Sequence, residues 1–247
     1  MICDLQTIRR YLFVRYRFVS GDDMDYKNIV EGRFISRPNR FVAYAEINGR
    51  TELCHVKNTG RCRELLIPGC TVWLEKAEPS AKRKTMYDLV TVSKGGRLIN
   101  MDSGAPNRAA AEFLPNIFPG GIIRPEYTCG NSRFDFYIEW GGRKILLEVK
   151  GVTLEEDGIV MFPDAPTERG VKHIKELTRC LDEGFETYLL FVIQMEDVRY
   201  FKPNDATHPE FGQSLRLAAK NGVKLLAYDC RVTPGSMNIR NKVGIRL

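Results

Sequence analysis

Residues 133–150 read RFDFYIEWGGRKILLEVK, which is typical of two apolar strands joined by a tight turn. Gly141 and Gly142 permit the positive φ angles of that turn, so Asp135 on the first strand is expected to lie across from Glu148 on the second. Side chains alternate along a strand, which places Glu148 and Lys150 on one face. Ionised groups near the ends of buried strands are usually paired or bound to metal.

This acidic pair has two interpretations. Carboxylate oxygens of Asp135 and Glu148, completed by water, are the ligands with which proteins hold Mg²⁺ or Mn²⁺ beside phosphate, and Lys150 would orient the attacking water or stabilise charge on phosphorus. The alternative is an ion network on the surface of a half-exposed sheet. The spacing alone does not decide between them.

The segments around the hairpin alternate helices with strands. The pattern predicts helices at 107–118, 166–181 and 209–220 and strands at 121–128, 133–140, 143–150, 187–194 and 223–228. Residues 188–193 are a continuous apolar run of the kind found in a strand covered on both faces. The order predicts an α/β domain with a mixed central sheet at 105–247.

This order, α-β-β-β-α-β with Asp on the second strand and Glu-x-Lys on the third, resembles the PD-(D/E)xK restriction-endonuclease-like fold. Longer strings are similar to one family, the sugar fermentation stimulation protein family (SfsA): HVKNTGR at 55–61, LLIPG at 65–69, SRFDF at 132–136, EVKGVTL at 148–154 and MFPDAPTERG at 161–170. The likeness covers about residues 29 to 247. It implies an OB-fold-like domain joined to a nuclease-like domain, with DNA binding and nuclease activity.

The first half of the chain is rich in short strands. Runs at 33–35, 41–47, 51–56, 71–75 and 87–92 are separated by turn residues. Five such strands predict a small barrel of the OB type at 29–104, as the resemblance also implies, and these barrels bind single strands through a basic groove with aromatic stacking platforms. For Phe41, Tyr44, Trp73 and Tyr87 the alternating spacing favours core positions over base stacking.

Two loops of the predicted barrel carry candidate nucleic-acid contacts. The turn after the third strand offers Asn58, Thr59 and Arg61, and a second basic loop offers Arg83 and Lys84. Contacts of this kind to the backbone of DNA or RNA add affinity without sequence choice. For both loops the alternative is a solvated loop.

Four further residues are candidates around the acidic pair. Glu112 corresponds in order to the helix glutamate that many PD-(D/E)xK nucleases use as an extra metal ligand, and Gln194 is a candidate catalytic amide that positions Lys150 or the substrate. Arg169 and His173, four apart on one helical face, are candidates for gripping phosphate. The simpler interpretations are a helix surface charge, a polar strand end and a solvated helix face.

Charge is distributed unevenly along the chain. Lys and Arg number 19 against 12 Asp and Glu in residues 1–110, but 18 against 19 in residues 111–247. A basic first half favours a polyanionic partner, and the near-neutral second half contains the acidic pair, as expected for a binding module joined to a cutting module. The asymmetry alone does not establish a function.

Seven cysteines, an odd number with no Cys-x-x-Cys pair, indicate neither a zinc site nor a disulfide framework and predict reduced thiols in the cytoplasm. His55, His173 and His208 are too scattered for a zinc motif.

Residues 1–28 are predicted to be an extension, a helix or strand that packs on the body. Four arginines interrupt its apolar residues, so neither a signal peptide nor a membrane span is predicted, and an amphipathic membrane-surface segment is the alternative.

The sequence therefore predicts a nuclease of the SfsA type that acts on DNA, RNA or both, with Mg²⁺ or Mn²⁺ and no small-molecule cofactor. Two alternatives are a non-catalytic DNA-binding regulator of sugar (maltose-type) metabolism genes and a metal-dependent enzyme for a small phosphate or sugar compound. No glycine-rich nucleotide loop is recognisable in the sequence. A homodimer is left open.

Overall fold

The computed structural model describes residues 24–58, 60–78, 83–130 and 132–247. Within these residues the strands form three sheets, two of six strands and one of three. Most of the predicted extension at 1–28 lies outside the described residues. Its last residues pack on the body, because Met24 is buried and Asp25 forms a bridge with Ser236.

The first five strands close into a barrel. They are β1 (Ile29–Ser36), β2 (Val42–Ile47), β3 (Arg50–Val56), β4 (Thr71–Lys76) and β5 (Tyr87–Lys94). They are hydrogen-bonded in the order β3-β2-β1-β4-β5, and a parallel pairing of β3 with β5 joins the two ends. Because closure leaves no free edge, even short strands form a stable sheet. The predicted OB-type barrel is confirmed.

Strand β1 starts four residues earlier than its pattern predicts. The reason is Gly32, which interrupts the apolar pattern but is needed in the barrel, since a Cβ there would lie 2.8 Å from the Glu46 carbonyl oxygen. Glycine in a strand often marks such a close approach of two backbones.

The second domain is built on a six-stranded mixed sheet. In chain order its elements are α1 (Ala105–Ile117), β7 (Ile122–Cys129), β8 (Ser132–Trp140), β9 (Arg143–Val152), α2 (Glu168–Asp182), β12 (Glu186–Ile193), α3 (Pro209–Asn221), β14 (Lys224–Thr233) and β15 (Ser236–Lys242). The strand order is β15-β14-β12-β9-β8-β7, with β9, β12 and β14 parallel. The predicted α/β domain with a mixed sheet is confirmed.

Sequence reasoning missed five short strands. They are β6 (Arg97–Asn100), β10 (Leu154–Glu156), β11 (Ile159–Phe162), β13 (Tyr200–Pro203) and β15. Strands β10, β11 and β13 form the small sheet, and β6 extends the barrel sheet toward the second domain. Each is too short or too polar to show a period of two.

The two faces of the mixed sheet have separate cores. Helix α1 covers one face and packs Leu114 and Phe118 against Ile138 and Leu147. Helices α2 and α3 cover the other face, where their core is continuous with that of the barrel. Asp135 on β8 and Glu148 on β9 thus lie in a sheet that is covered by α1 on one face and by α2 on the other.

No helix among the described residues is long and apolar enough to span a bilayer.

Candidate metal centre and nucleic-acid interface

The acidic pair lies where strands β8 and β9 separate. The last paired residues of the two strands are Phe136 and Leu147, so the pairing stops one position before it would reach Asp135. The Asp135 carboxylate fills the opening: its Oδ2 accepts a hydrogen bond from the Val149 backbone amide at 2.8 Å and its Oδ1 accepts one from Asn107 Nδ2 at 2.8 Å. Asp135 therefore lies beside the Glu148–Lys150 triplet, held by a residue of α1.

Glu148 is a buried carboxylate, 3% exposed, with two unequal oxygens. Its Oε1 accepts from Lys150 Nζ at 2.5 Å and pairs with Nδ1 of His173. Its Oε2 is buried and has no hydrogen-bond partner among the described residues. One oxygen is thus held by two positively charged or donating groups, while the other is left without a partner.

The pKa values of the two acids shift in opposite directions, because only Glu148 has both His173 and Lys150 at its carboxylate. Burial, together with the nearby charge of Glu148, raises the pKa of Asp135 above its usual value. Burial also acts to raise the pKa of Glu148, but the hydrogen bond with His173 and the charge of Lys150 outweigh it and hold that pKa below its usual value. A pair in which Glu148 is buried and Asp135 half-buried does not fit the solvated surface network that the spacing left open.

His173 differs from its predicted role. It is 7% exposed and faces Glu148, so it positions this carboxylate and does not offer a free contact for phosphate. Arg169 Nε lies 3.4 Å from His173 Nε2, and Arg169 itself is exposed. Helix α2 is oriented by its N-cap, since Thr167 Oγ1 accepts a hydrogen bond from Gly170 N at 3.0 Å.

The structure does not bring Glu112 to the pair. Glu112 Oε2 accepts a hydrogen bond from the Met24 backbone amide, on the side of α1 that faces β15. Asn107, which reaches Asp135, is five residues earlier and therefore about 140° away around the helix. Sequence reasoning missed Asn107, whose only signal was an amide in the first turn.

Gln194, the candidate catalytic amide, lies at the contact between the two domains. It is 2% exposed, and its Nε2 donates to the carbonyl oxygens of Asn100 and Asp102 at 3.0 and 3.2 Å. The Gln194 carbonyl oxygen also accepts from the Asn100 amide at 2.9 Å. These bonds join the end of the barrel sheet to the second domain.

The predicted turn at Asn58 and Arg61 is held from inside by an arginine. The Arg37 guanidinium donates to the carbonyl oxygens of Asn58, Gly60 and Arg61 at 2.6 to 2.9 Å. Asn58 Oδ1 accepts from Gly60 N at 2.8 Å. With its carbonyl oxygens taken by Arg37, the turn presents the exposed Arg61 outward; Thr59 lies outside the described residues.

The second predicted basic loop is mainly structural. Arg83 forms an ion pair with Asp88, which is 3% exposed, and its Nε donates to the Thr85 carbonyl oxygen at 2.8 Å. This guanidinium therefore compensates a buried carboxylate, and its role as a phosphate contact stays a prediction. Lys84 is exposed, as predicted.

An arginine pocket that sequence reasoning missed lies beside the Asn58 turn. Arg37, Arg40, Arg61 and Arg63 line an open volume of about 430 Å³, and Ala165 of the second domain closes one side. The guanidinium groups of Arg40, Arg61 and Arg63 form no ion pair within the described part of the chain. The signal was present as two arginine pairs flanking the turn.

Two aromatic rings at the start of β2 are exposed. Phe41 is 50% exposed, and Cζ of Arg40 lies 4.9 Å from the centroid of its ring. Tyr44, on β2, is 39% exposed. The expectation of core positions was wrong for these two. Trp73 and Tyr87 are half-buried, nearer to what was expected.

Comparisons with known proteins agree across the chain. The family model described as "Sugar fermentation stimulation protein RE domain" matches residues 104–236, and the "SfsA N-terminal OB domain" matches residues 35–101. A sugar fermentation stimulation protein homolog of Desulfitobacterium hafniense (strain DSM 10664 / DCB-2) is 57% identical over 226 residues, 91% of this chain and 99% of the relative. The homolog of Ruminiclostridium cellulolyticum is 56% identical over 227 residues, 91% and 100% of the two chains.

A solved structure, that of Pyrococcus furiosus SfsA in complex with Ca²⁺, has the same fold. It is 29% identical and superposes with a TM-score of 0.81, covering 92% of this chain and 100% of that one. The chain belongs to the sugar fermentation stimulation protein (SfsA) family.

Proposed function

We propose that the protein is a divalent-metal-dependent nuclease in which Asp135 and Glu148 hold Mg²⁺ or Mn²⁺ beside a phosphodiester of DNA or RNA. The observation that carries this proposal is the buried Oε2 of Glu148, which has no hydrogen-bond partner among the described residues and belongs to the carboxylate whose charge acts on Asp135. A buried acceptor without a partner costs about 1–3 kcal/mol, and more when it is charged. A bound cation would satisfy this oxygen and relieve the repulsion between the two acids.

The donor set fits a hard cation. Both ligands are carboxylate oxygens at the mouth of a sheet, and Mg²⁺ in proteins is typically held by one or two carboxylates with waters and substrate phosphate. Ca²⁺, which the Pyrococcus furiosus structure contains, prefers the same oxygen ligands. That relative supports a hard divalent ion for this chain too.

The protein side chains have separate parts in this mechanism. Asn107 and the Val149 amide fix Asp135, while His173 holds Glu148 Oε1 and so leaves Oε2 to the ion. When bound, the ion lowers the pKa of a water molecule and stabilises charge on the phosphate. Lys150, whose side chain is 14% exposed, donates a hydrogen bond to the attacking water or to a phosphate oxygen.

The barrel supplies the expected affinity for a nucleic acid. The guanidinium groups of Arg40, Arg61 and Arg63, which form no ion pair with any residue that the structure describes, suit phosphate. Phe41 and Tyr44 offer faces on which bases stack. A cytoplasmic location is part of the proposal, since nucleic acids and free Mg²⁺ are both present there.

The test is cleavage of single- and double-stranded DNA and of RNA by the purified protein, with Mn²⁺ or with EDTA. We expect cleavage only with Mn²⁺ and a loss of more than about 100-fold in Asp135→Asn, above the effect typical of an outer-shell contact. Asp205→Asn, an exposed aspartate paired with Arg216, is the matched control and should keep full activity. Equal rates in wild type and Asp135→Asn would refute the proposal.

Salt-sensitive binding without any metal-dependent cleavage would identify the protein as a DNA-binding regulator of sugar metabolism genes instead. Cleavage of a small phosphate compound, with neither nucleic acid bound nor cut, would identify the third candidate.

A further inference from the structure

Two cysteines far apart in sequence meet at the edge of the mixed sheet. Cys129, the last residue of β7, and Cys180, in the last turn of α2, have their sulfur atoms 3.8 Å apart. Glu183, which caps α2, places Oε2 3.5 Å from the Cys129 sulfur. The three donor atoms all lie within 4.8 Å of one another.

These separations match those of a tetrahedral zinc site. With Zn–S near 2.3 Å and Zn–O near 2.1 Å, a tetrahedral angle places two sulfur ligands about 3.8 Å apart and a sulfur and an oxygen about 3.6 Å apart. The observed sulfur–sulfur and sulfur–oxygen distances are 3.8 and 3.5 Å. Two of the three donor separations thus match a tetrahedral centre, and the third, between Cys180 and Glu183, is within 4.8 Å.

The carboxylate is also oriented for this role. Arg179 forms an ion pair with Glu183 Oε1, which leaves Oε2 directed at Cys129. A second contact to Glu176 at 3.1 Å fixes the guanidinium. Gly130, with φ of 55°, gives the arginine room, since a Cβ there would collide with it. Ligands fixed in this way by an outer contact are a regular feature of metal sites.

We propose that Cys129, Cys180 and Glu183 bind a thiophilic divalent cation of the Zn²⁺ class, with the fourth position open to water. This site would take a different ion from the Asp135–Glu148 pair, because thiolates select softer ions than a pair of carboxylates does. Binding releases the thiol protons to solvent, and Arg179 offsets part of the charge of two thiolates and a carboxylate.

The titration of the thiols agrees with this chemistry. Burial, with the neighbouring Cys129, raises the pKa of Cys180 to about 12, so both thiols are protonated near neutral pH when no ion is bound. Affinity for the ion should therefore rise with pH. The ion would fasten the β7–β8 hairpin, which carries Asp135, to the helix that carries His173.

The sequence, which has no Cys-x-x-Cys pair, predicts no zinc site. The two thiols are 51 positions apart and meet only because α2 packs along the sheet.

The experiment is a titration of the full chain, stripped of metal and kept reduced, with Co²⁺ as a spectroscopic probe and then with Zn²⁺. We expect one equivalent of Co²⁺ to produce thiolate-to-cobalt charge-transfer absorption and tetrahedral visible bands, which Zn²⁺ then abolishes. Cys129→Ser and Cys180→Ser should lose the charge-transfer absorption. Glu183→Gln, at an exposed position that leaves folding intact, should weaken binding about tenfold or more.

Two controls separate this site from other sites. Cys70→Ser removes a half-buried thiol of the barrel and should bind Co²⁺ as wild type does. Asp135→Asn should also keep the charge-transfer absorption, so this inference and the proposed nuclease centre fail independently. Absence of the absorption in reduced wild type, or its persistence in Cys129→Ser, would overturn the assignment.

Discussion

Glu148 has two oxygens with different surroundings, and this difference defines the candidate centre. Lys150 and His173 both approach Oε1, so the carboxylate keeps its charge at neutral pH although it is buried. The free Oε2 is then the atom with most to gain from a cation. The contacts of Lys150 and His173 with Oε1, more than the presence of Glu148 alone, determine which oxygen could bind a cation.

The first prediction concerns His173. His173→Gln removes the imidazole from Glu148 Oε1, so the carboxylate rotates more freely and we expect metal-dependent cleavage to fall about 10- to 100-fold. Unfolding free energy should fall by about 1–3 kcal/mol because a buried acceptor loses a partner. Rates measured over a range of Mn²⁺ concentrations should show weaker metal activation. Lys175→Ala, on the same helix but in an exposed pair with Glu210, should change neither quantity appreciably.

The second prediction concerns how Asp135 affects the stability of the metal-free protein. The pKa of Asp135 is raised, so the folded protein disfavours its ionised form. The free energy of unfolding is therefore highest below the usual pKa of an aspartate and declines as the pH rises through the raised value. In EDTA, Asp135→Asn should therefore unfold at a higher urea concentration than wild type at pH 7, but not at pH 3. Mn²⁺ should stabilise only the wild type. A destabilised Asp135→Asn protein at pH 7 would contradict the inferred repulsion.

At the scale of elements, the separation of β8 from β9 makes room for chemistry inside a sheet. An uninterrupted ladder would direct the Val149 amide to the neighbouring strand, whereas here Asp135 accepts it. The opening is closed from α1 by Asn107 and from α2 by His173. The site thus depends on helices on both faces of the sheet.

The third prediction concerns the arginine pocket of the barrel. Replacing Arg61 and Arg63 together by alanine should weaken binding of labelled single-stranded oligonucleotides and reduce the slope of log affinity against log salt by about one per lost phosphate contact. Anisotropy titrations at several salt concentrations measure both. Arg50→Ala, at the opposite end of the β2–β3 hairpin from Phe41, is the matched control. An unchanged slope in the double variant would exclude phosphate contact at this pocket.

The sequence predicted the hairpin well because its information is local. Gly141 and Gly142 determine the turn, and alternation places Glu148 beside Lys150 without reference to distant residues. The partners that complete each site come from elsewhere in the chain: Asn107 from α1, and Cys180 beside Cys129. Such contacts follow from how helices pack on a sheet, which no local pattern contains.

At the scale of the whole molecule, the two domains are joined by a buried polar junction. Gln194 ties Asn100 and Asp102 to the end of β12, which explains its burial better than the catalytic role predicted for it. Asp102, 2% exposed, accepts from Arg108 and from the Gly104 amide at 2.8 Å each. The relative placement of barrel and α/β domain is therefore specified by hydrogen bonds.

The fourth prediction concerns this junction in acid. Burial acts to raise the pKa of Asp102, but the hydrogen bonds from Arg108 and Gly104 outweigh it and lower that pKa. Its stabilisation is present above the usual pKa and is lost as pH falls through the lowered value. Asp102→Asn should cost about 3 kcal/mol at pH 7, as for a broken buried pair, and less at pH 2. Urea unfolding at both pH values measures this.

Asp205→Asn is the surface comparison for that experiment. Its partner Arg216 also lowers the pKa of Asp205, but the pair is exposed and should contribute less than about 1 kcal/mol at either pH. Equal losses in the two variants would mean that the junction adds nothing beyond a surface ion pair.

The closed barrel also affects the order of events during synthesis. Its five strands lie within residues 29–94, so a nascent chain can complete the barrel before the second domain has been synthesised. The mixed sheet cannot be finished so early, because β9 pairs with β12 and β12 in turn pairs with β14. Glu148 becomes enclosed only after α2 has emerged and docked. If the proposed centre binds a cation, that binding would then come late in the synthesis of the chain.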